Sequence, residues 1–311
     1  MRNEIISYIG YWQKRTGIAL TAMLIWLELS TGKYYNWKRR KYHKNEHNGH
    51  IPKSHWILPW EREAIIEYRH EHPEEGYRRM CYMMLDEDVA AVSPSTVYRI
   101  LQAEGLLTKK WRYEKTKGSG FEQPTRPHQH WHLDITYINF RGTFVFLAAL
   151  VDGYSRYIVH YELKTYMEAI DIEIMLERAR LKFPGVSPVL ITDNGPQFIA
   201  KELKIYLNDM NIIHRRTRFF YPQSNGKSER FNQSCKNEFV RRHSFLSLED
   251  LLEQLAYYIE IYNTVRLHSA VGYITPYNML MGRQEEIFSE RKDKLERARQ
   301  ERMEKSIVKA A

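Results

Sequence analysis

Three consecutive strand patterns, beginning at residue 131, constrain the fold of this 311-residue chain more than any other feature. Residues 131–140, WHLDITYINF, alternate between apolar and polar side chains, as a strand with one buried face does. Residues 144–152, FVFLAALVD, are almost continuously apolar and predict a strand that is buried on both faces. A turn over 152–156 leads to a third strand over 157–163, so we expect three antiparallel strands in succession.

Helix and strand patterns alternate in the segments that follow these three strands. In chain order the patterns predict a helix over 167–183, a buried strand over 187–193, a helix over 195–210, a short strand over 211–217, a helix that starts near 226 and a helix over 246–266. This β-β-β-α-β-α-β-α order predicts an α/β ribonuclease-H-like core, which is a mixed five-stranded sheet flanked by helices.

The first 42 residues predict a small helical unit. An apolar helix over 21–29, a turn over 30–32 and a basic helix over 33–42 give the outline of a helix-turn-helix, with Arg39 and Arg40 as candidate DNA contacts. A small helical bundle with a basic exterior explains this pattern equally well, so both interpretations stay open.

A second helical unit is predicted before the strands begin. Helices over 61–72, 76–87 and 93–107 have the spacing of a helix-turn-helix or a winged variant of it. The last of these helices begins at a Ser-Pro cap and is expected to turn Arg99 outward, together with Ser95 and Tyr98.

Changes in composition divide the chain into five segments. The polar, histidine-bearing stretch 43–60 is interpreted as a linker and not as a zinc site, because cysteines are absent from it. The predicted segments are an N-terminal helix-turn-helix-like DNA-binding unit with its linker (1–60), a second helix-turn-helix-like unit (61–110), a linker (111–130), a catalytic core (131–282) and a charged C-terminal helix (283–311).

Charge and composition limit the partners of the chain. A formal net charge of +9 favours a polyanionic partner, with nucleic acid first and a membrane surface second. The two cysteines, Cys81 and Cys235, are far apart in sequence, which excludes a disulfide framework and a paired-cysteine zinc site. We find neither a membrane-spanning run of about 18 apolar residues nor a signal peptide, so the sequence predicts a cytoplasmic protein without a membrane partner.

Three acidic residues lie where the predicted fold makes them useful. Asp134 is on the polar face of the first strand, and Asp193 ends a strand that should be buried. A helix that starts near residue 226 can carry Glu229 to the same edge of the sheet. Buried carboxylates are costly unless they are paired, hydrogen-bonded or bound to metal. Three carboxylates without a His or Cys partner suit Mg²⁺ or Mn²⁺ better than zinc.

The motifs around these acids resemble a known family. They are DITY at Asp134, TDNGPQF at Asp193 and YPQSNGKSERFNQ at Glu229, with 35 residues between the last two acids. This pattern is similar to the DD35E signature of retroviral integrases and of insertion-sequence transposases with an integrase-type core. Further matches are VDGYSR at 151–156 and YNTVRLHSAVGYITP at 262–276. The helical N-terminal region lacks the HHCC zinc unit of retroviral integrases, which favours the transposases.

The resemblance implies a Mg²⁺-dependent polynucleotidyl transferase of the DDE type. Such an enzyme cleaves DNA at the ends of a mobile element and joins the 3′ hydroxyls to target DNA, with Asp134, Asp193 and Glu229 as catalytic residues. Two metal ions are implied, for which Mn²⁺ can substitute, with Asp134 binding both. Candidate DNA contacts on the helix of Glu229 are Lys227, Arg230, Gln233 and Lys236.

Partners and location also follow from the resemblance. We expect DNA as the partner, both the terminal inverted repeats of the element and the target, and a homo-oligomer of at least two subunits on DNA. The location implied is the bacterial cytoplasm, in association with the nucleoid. Two alternatives are kept, a ribonuclease-H-type nuclease without strand transfer and a non-catalytic regulator derived from a transposase.

Several other residues near the predicted site have simpler interpretations. An Asp-Gly turn accounts for Asp152 without any metal. Glu238 lies nine residues after Glu229, on the opposite side of a regular helix. Histidines 128, 130 and 132 are predicted to lie on the surface or to face DNA.

Overall fold

The structure is a computed structural model that describes residues 2–41, 56–107, 123–217 and 226–308. Its contacts divide the chain into two compact units, one of residues 1–56 with 299–311 and the other of residues 57–298. The helices are α1 (Arg2–Thr16), α2 (Leu20–Trp26), α3 (Thr31–Arg39), α4 (Pro59–Glu71), α5 (Tyr77–Asp86), α6 (Pro94–Ala103), α7 (Ala169–Lys182), α8 (Pro196–Ile199), α9 (Lys201–Asp209), α10 (Gly226–Ser234), α11 (Leu248–Thr264), α12 (Pro276–Leu280) and α13 (Gln284–Val308). The strands are β1 (His130–Phe140), β2 (Thr143–Asp152), β3 (Ile158–Lys164), β4 (Val189–Thr192) and β5 (Ile213–Arg216).

In the first unit, α1, α2 and α3 surround a small apolar cluster. Helix α1 was not predicted from the sequence, although its residues Ile6 and Ile9 pack against α2 and α3. The helix predicted over 21–29 ends earlier, at Trp26, and Glu28 takes a left-handed backbone with φ of 50°. The turn predicted over 30–32 is also wrong, because Ser30 caps the N-terminus of α3 and accepts a hydrogen bond from the Lys33 amide.

Helices α4, α5 and α6 form a three-helix unit with its own core, here called the HTH-like unit. As predicted, Ser93 caps α6 with Pro94 at its first position, and Ser95, Tyr98 and Arg99 are exposed. The helix predicted over 93–107 ends at Ala103, because Gly105 turns the backbone into the left-handed region with φ of 68°. The core of the unit consists of Ile65, Tyr68, Met80, Cys81, Met84, Ala90, Val92, Val97, Ile100 and Leu101.

The strands form one five-stranded sheet in the order β3-β2-β1-β4-β5. Strands β1, β2 and β3 are antiparallel neighbours, as the sequence predicted, whereas β4 and β5 run parallel to β1. Helices cover both faces of the sheet. The predicted mixed sheet flanked by helices, the ribonuclease-H-like fold, is confirmed.

The two faces of the sheet are packed by different helices. Trp131 and Leu133 of β1 point to the face covered by α7 and α9. On the opposite face, Phe231 of α10 packs with Cys235 and Phe239 against β2 and α11, in the i, i+4, i+8 spacing seen in the sequence. This second layer determines the orientation of the helix that carries Glu229.

Two helices differ from their predictions in a way that affects the site. The helix predicted over 195–210 is broken at Ala200, whose ψ of 140° is extended, so α8 and α9 are separate. Helix α10 continues directly into a π-helical segment, Cys235–Val240, where the sequence predicted a regular helix. A π-helix has more residues per turn and often occurs at functional sites.

Two further expectations concern membranes and the N-terminal linker. No helix within the described residues is long and apolar enough to cross a membrane. The histidines of the linker, His43, His47, His50 and His55, lie outside the described residues. Helix α4 begins at Pro59, inside the range assigned to that linker.

Candidate active site

Strands β1 and β4 bring Asp134 and Asp193 to the same place in the sheet. The two strands are parallel, and His132 is the partner of Ile191 in their register. Each aspartate lies two residues beyond this pair. Both side chains therefore lie on the same face of the sheet, near the carboxyl end of β4. Both are partly buried. The juxtaposition of two acids that are 59 positions apart in sequence is therefore a consequence of parallel pairing.

Helix α10 completes the site by crossing the face of the sheet next to Asp134. The side-chain amide of Asn232 donates a hydrogen bond of 2.7 Å to Asp134 Oδ2. Glu229 is one turn before Asn232 on the same helix and is exposed. Because Asn232 is anchored on Asp134, Glu229 stands at the edge where the two aspartates lie.

Burial and neighbouring charges both act on the carboxyl group of Asp134. Its pKa is raised to about 6, first by burial and next by the charge of Asp193, while the charge of Glu229 adds to the rise. The backbone amide of Ile135 and the amide of Asn232 oppose this rise by donating hydrogen bonds to the carboxylate. Burial also raises the pKa of Glu229. A site that holds several carboxylates against their mutual repulsion favours a cation.

A donor set of three carboxylates has the chemistry of a Mg²⁺ or Mn²⁺ site, since both ions prefer oxygen ligands. Within the described ranges, no three acidic, histidine or cysteine side chains are grouped closely enough to hold a metal ion. The three acids share one edge of the sheet, and the charges of Asp193 and Glu229 act on Asp134, but the side chains are not grouped as ligands. Their oxygen donors fit a divalent cation, which would offset the repulsion on Asp134.

The loop after β4 fixes the orientation of Asp193. Its Oδ1 accepts a hydrogen bond of 2.9 Å from the backbone amide of Gly195. A Cβ at Gly195 would lie 3.1 Å from the same oxygen, so a larger residue would crowd the carboxylate. The neighbours are also held, because Asn194 donates to the carbonyl of Thr217 and Gln197 donates to the carbonyl of Met167.

Three family models match parts of the chain. The family described as an integrase core domain matches residues 124–222, and a second family with that description matches residues 210–276. The chain contains an integrase core domain. The family described as an HTH-like domain matches residues 59–115, which include the HTH-like unit.

Curated relatives of this integrase-core protein include transposases of insertion sequences. The transposase for insertion sequence element IS904 of Lactococcus lactis subsp. lactis is 25% identical over 229 residues, covering 69% of this chain and 90% of the relative. The putative transposase InsK for IS150 of Escherichia coli K12 is 26% identical, covering 69% of this chain and 81% of the relative. A chain of the simian T-cell lymphotropic virus intasome structure overlaps 70% of this chain and 74% of its own, with 17% identity and a TM-score of 0.47. The domain matches and the two relatives confirm the resemblance to insertion-sequence transposases with an integrase-type core.

Asp152 is held in the integrase core as a turn residue, as its Asp-Gly context indicated. It is fully buried, and its carboxylate accepts hydrogen bonds from the backbone amides of His128, Tyr154 and Ser155 and from the Ser155 hydroxyl. With these four donors the carboxylate closes the β2–β3 turn onto the start of β1. The structure therefore gives it a structural role.

Glu238 also lies away from the three acids. Both of its carboxylate oxygens accept hydrogen bonds from the Arg266 guanidinium, at 2.6 and 2.7 Å. This bidentate pair ties the π-helical segment to the chain after α11. The expectation that Glu238 is on another side of the helix from Glu229 agrees with this pairing.

The prediction that histidines 130 and 132 lie on the surface is wrong. His130 and His132 are buried, because the polar face of β1 that carries them is covered by α10 and the β2–β3 turn. His128 is half-buried, and its Nδ1 accepts a hydrogen bond from the Trp131 indole. The alternation of β1 predicted correctly that these polar side chains share one face of the strand. That face is buried by a helix and is not exposed to solvent.

The candidate DNA contacts on α10 differ in exposure. Arg230 and Gln233 are exposed, whereas Lys236 is half-buried on the π-helical segment. Lys227 departs from the expectation of a phosphate contact, because its ammonium is buried and has no hydrogen-bond partner among the described residues. Burial and the nearby Arg156 lower the pKa of Lys227 to about 7.

The remaining candidate DNA contacts lie on the two helical units. Arg99 is exposed on α6 of the HTH-like unit. Arg39 and Arg40 are exposed at the end of α3. Their roles in DNA binding stay predictions.

Asn232 is the residue of the site whose role sequence reasoning missed. Its sequence signal was its position one turn after Glu229, which places both on one helical face. Its Nδ2 is used by Asp134, whereas its buried Oδ1 has no hydrogen-bond partner among the described residues. Asn232 therefore acts as a support for the first carboxylate.

The raised pKa of Asp134 predicts a stability effect in metal-free buffer. A carboxyl whose pKa is higher in the folded than in the unfolded state lowers stability as pH rises from the ordinary value of 3.8 to about 6. We expect Asp134→Asn to stabilise the metal-free protein at neutral pH by about 1–2 kcal/mol, because the charge is removed and Asn232 can turn its Oδ1 toward the new amide. Denaturant unfolding at pH 4 and pH 7 checks this, and the gain should be confined to the higher pH.

Proposed function

We propose that this protein is a transposase that cleaves DNA at the ends of a mobile element and joins the 3′ hydroxyl ends to target DNA. The observation that supports this most directly is that Asp134 on β1, Asp193 just after β4 and Glu229 on α10 lie at one edge of the sheet, where burial and then the charges of the other two acids raise the pKa of Asp134. The integrase core supports a polynucleotidyl transferase, and the insertion-sequence relatives favour transposition as its context.

We further propose a requirement for two divalent ions, Mg²⁺ with Mn²⁺ as a substitute. Asp134 would contact both ions, while Asp193 and Glu229 would each hold one. Bound in this way, divalent ions supply Lewis-acid stabilisation for the attacking and the leaving oxygens of a phosphodiester. The chain then needs no nucleophile of its own, since water serves in cleavage and a DNA 3′ hydroxyl serves in joining.

The residues around the acids keep the carboxylates in position. Asn232 holds one oxygen of Asp134 at 2.7 Å, and the Gly195 amide holds one oxygen of Asp193 at 2.9 Å. These hydrogen bonds, together with that of the Ile135 amide to Asp134 Oδ1, restrict the orientation of the two carboxylates. Arg230 and Gln233, exposed on the helix of Glu229, are placed to contact the DNA backbone next to the reacting phosphate.

DNA recognition is assigned to the two helical units and the core together. Exposed Arg99 on α6 is the proposed contact of the HTH-like unit, and Arg39 with Arg40 are those of the N-terminal helices. Work on two element ends calls for at least two subunits, so we propose a homo-oligomer on DNA. Phosphate contacts of this kind set affinity and register more than sequence choice.

A strand-transfer assay tests the proposed function. Purified protein is incubated with labelled duplexes carrying the terminal inverted repeats that flank the gene, with plasmid target and Mg²⁺. We expect nicked 3′ ends and joined products. EDTA should prevent their formation, and an excess of Mg²⁺ or Mn²⁺ should restore it. Hydrolysis without any joined product would favour a ribonuclease-H-type nuclease, and binding without cleavage would favour a regulator.

A further inference from the structure

The HTH-like unit is joined to the catalytic core by the first half of α13. Arg291 of this helix is buried at 5% exposure and donates from Nε and Nη2 to both carboxylate oxygens of Asp86, each at 2.7 Å. Asp86 is the last residue of α5, in the HTH-like unit. The same guanidinium donates to the carbonyl oxygens of Gly272 and Tyr273, in the core segment that follows α11. One side chain therefore holds the HTH-like unit, α13 and the core together.

Other contacts surround this buried arginine. Lys294, one turn later on α13, donates to the carbonyls of Leu85 and Asp86 and pairs with Asp88 at 2.7 Å. Carbonyls at a helix C-terminus are the groups that attract a cation most strongly. Lys294 of α13 thus caps the end of α5.

Aromatic rings close the joint from the other sides. Tyr82 of α5 stacks on Tyr273 of the core with ring centroids 4.8 Å apart, and the Arg291 guanidinium lies over the Tyr82 ring at 4.9 Å. Gly272 has φ of 76°, and a Cβ there would lie 2.6 Å from the ring of Phe288 on α13. Only glycine fits this close approach, so the core segment and α13 are built to pack together.

A second line of contact runs from the start of α5 to the helix that carries Glu229. Arg79 of α5 lies 4.0 Å from Glu238 in the π-helical segment that continues α10. Glu74, just before α5, pairs with Arg242, just after the π-helical segment. Both ends of α5 are therefore held by the core, one near the active-site helix and one at α13.

We propose that this joint sets the distance between the DNA sequence bound by the HTH-like unit and the phosphate that is cut, and that Arg291 is its main positioning residue. The inference rests on the proposed function, since it assigns the HTH-like unit and the core to one DNA molecule. The guanidinium of Arg291 is buried, whereas the Asp86 carboxylate is partly exposed, and such a two-pronged pair contributes to a defined arrangement more than to stability. A rigid joint would make the cut fall at a constant interval from the bound sequence.

The first arm of the test measures the joint itself, without DNA. Spin labels are attached to two introduced cysteines, Glu63→Cys in α4 and Tyr257→Cys in α11, both at exposed positions, and the distance between the labels is measured. The native Cys81 and Cys235 are buried. We expect one narrow distance distribution in the parent protein and a broad one in Arg291→Ala. Arg291→Lys keeps the charge but loses the two-pronged geometry, so its distribution should be intermediate. Arg297→Ala, exposed on the same helix, is the matched control and should stay narrow.

The second arm measures where the DNA is cut. Duplexes carry the terminal inverted repeat either intact or with one base pair inserted between its inner part and the terminus. An inserted pair shifts the phosphate by about 3.4 Å, so the parent protein should lose about tenfold or more in cutting at the natural end. Arg291→Ala should cut at several neighbouring positions and tolerate the insertion, whereas Arg297→Ala should behave as the parent does. Circular dichroism and melting establish that each variant is folded, and Asp86→Asn repeats the test from the other partner.

The outcomes separate this inference from the proposed function. A narrow distribution in both Arg291→Ala and Asp86→Asn would overturn the joint. Arg291→Ala could show a broad distance distribution and still cut at the same position as the parent, with the same loss on insertion. That result would overturn the role of the joint in cutting. If the parent protein cuts none of the duplexes, the proposed function fails together with the role in cutting, while the first arm still decides the joint.

Discussion

Strand transfer should fall by about a thousandfold or more in each of Asp134→Asn, Asp193→Asn and Glu229→Gln, because several kcal/mol of transition-state stabilisation are lost with one metal ligand. The three changes keep the size of each side chain, so binding of the terminal-repeat duplex should be retained. Asp134→Asn can still accept the Ile135 amide at its remaining oxygen, which preserves the local backbone. Strand-transfer rates and duplex affinity, measured side by side, check this prediction.

Glu238→Gln is the control that distinguishes the two acids of this helical region. Glu238 pairs with Arg266, away from the aspartates, and its loss should reduce strand transfer by less than about tenfold through weaker packing. The assignment of the third acid is wrong if Glu229→Gln stays active while Glu238→Gln does not. The same conclusion would follow if both glutamine variants were fully active.

Asp152→Ala should lower the free energy of unfolding by about 3–5 kcal/mol, since four donors lose a buried charged acceptor. The affected amides belong to His128, Tyr154 and Ser155, which connect the start of β1 with the β2–β3 turn. Denaturant unfolding gives the change, and Asp209→Ala, exposed at the end of α9, should stay within about 0.5 kcal/mol of the parent.

Activity separates the structural role of Asp152 from a catalytic one. At a temperature where Asp152→Ala remains folded, we expect strand transfer within about tenfold of the parent rate. A variant of unchanged stability that has lost strand transfer would contradict the structural role. It would place Asp152 among the metal ligands.

The sequence predicted the sheet well because its strands are marked by strong local patterns. The near-continuous apolar run of β2 predicted its burial correctly. The alternation of β1 predicted the strand but not which residues are buried, because Thr136 and Ile138 are buried while Tyr137 is exposed. The same patterns made the two aspartates candidates, since one lies on the polar face of an alternating strand and the other ends an apolar one. Glu229 needed the family resemblance, because nothing local distinguishes it from a solvated glutamate.

The features that escaped prediction depend on contacts between distant segments. His130 and His132 are polar residues on the face of β1 that α10 covers, and their spacing does not show that a helix lies above them. The ammonium of Lys227 is buried beside Arg156, 71 positions earlier in sequence. Asp86 and Arg291 are 205 positions apart, so their pairing could not be read from either segment. Local patterns indicate elements, whereas these contacts follow from how the elements assemble.

The central claim is that Asp134, Asp193 and Glu229 form one divalent-metal site. Anomalous scattering from crystals of the full chain with a terminal-repeat duplex and Mn²⁺ tests it most directly. We predict two manganese peaks between the three carboxylates, with oxygen ligands from Asp134 on both, and the loss of at least one peak in Asp134→Asn. Peaks at other acidic residues, or none within reach of these three side chains, would contradict the claim.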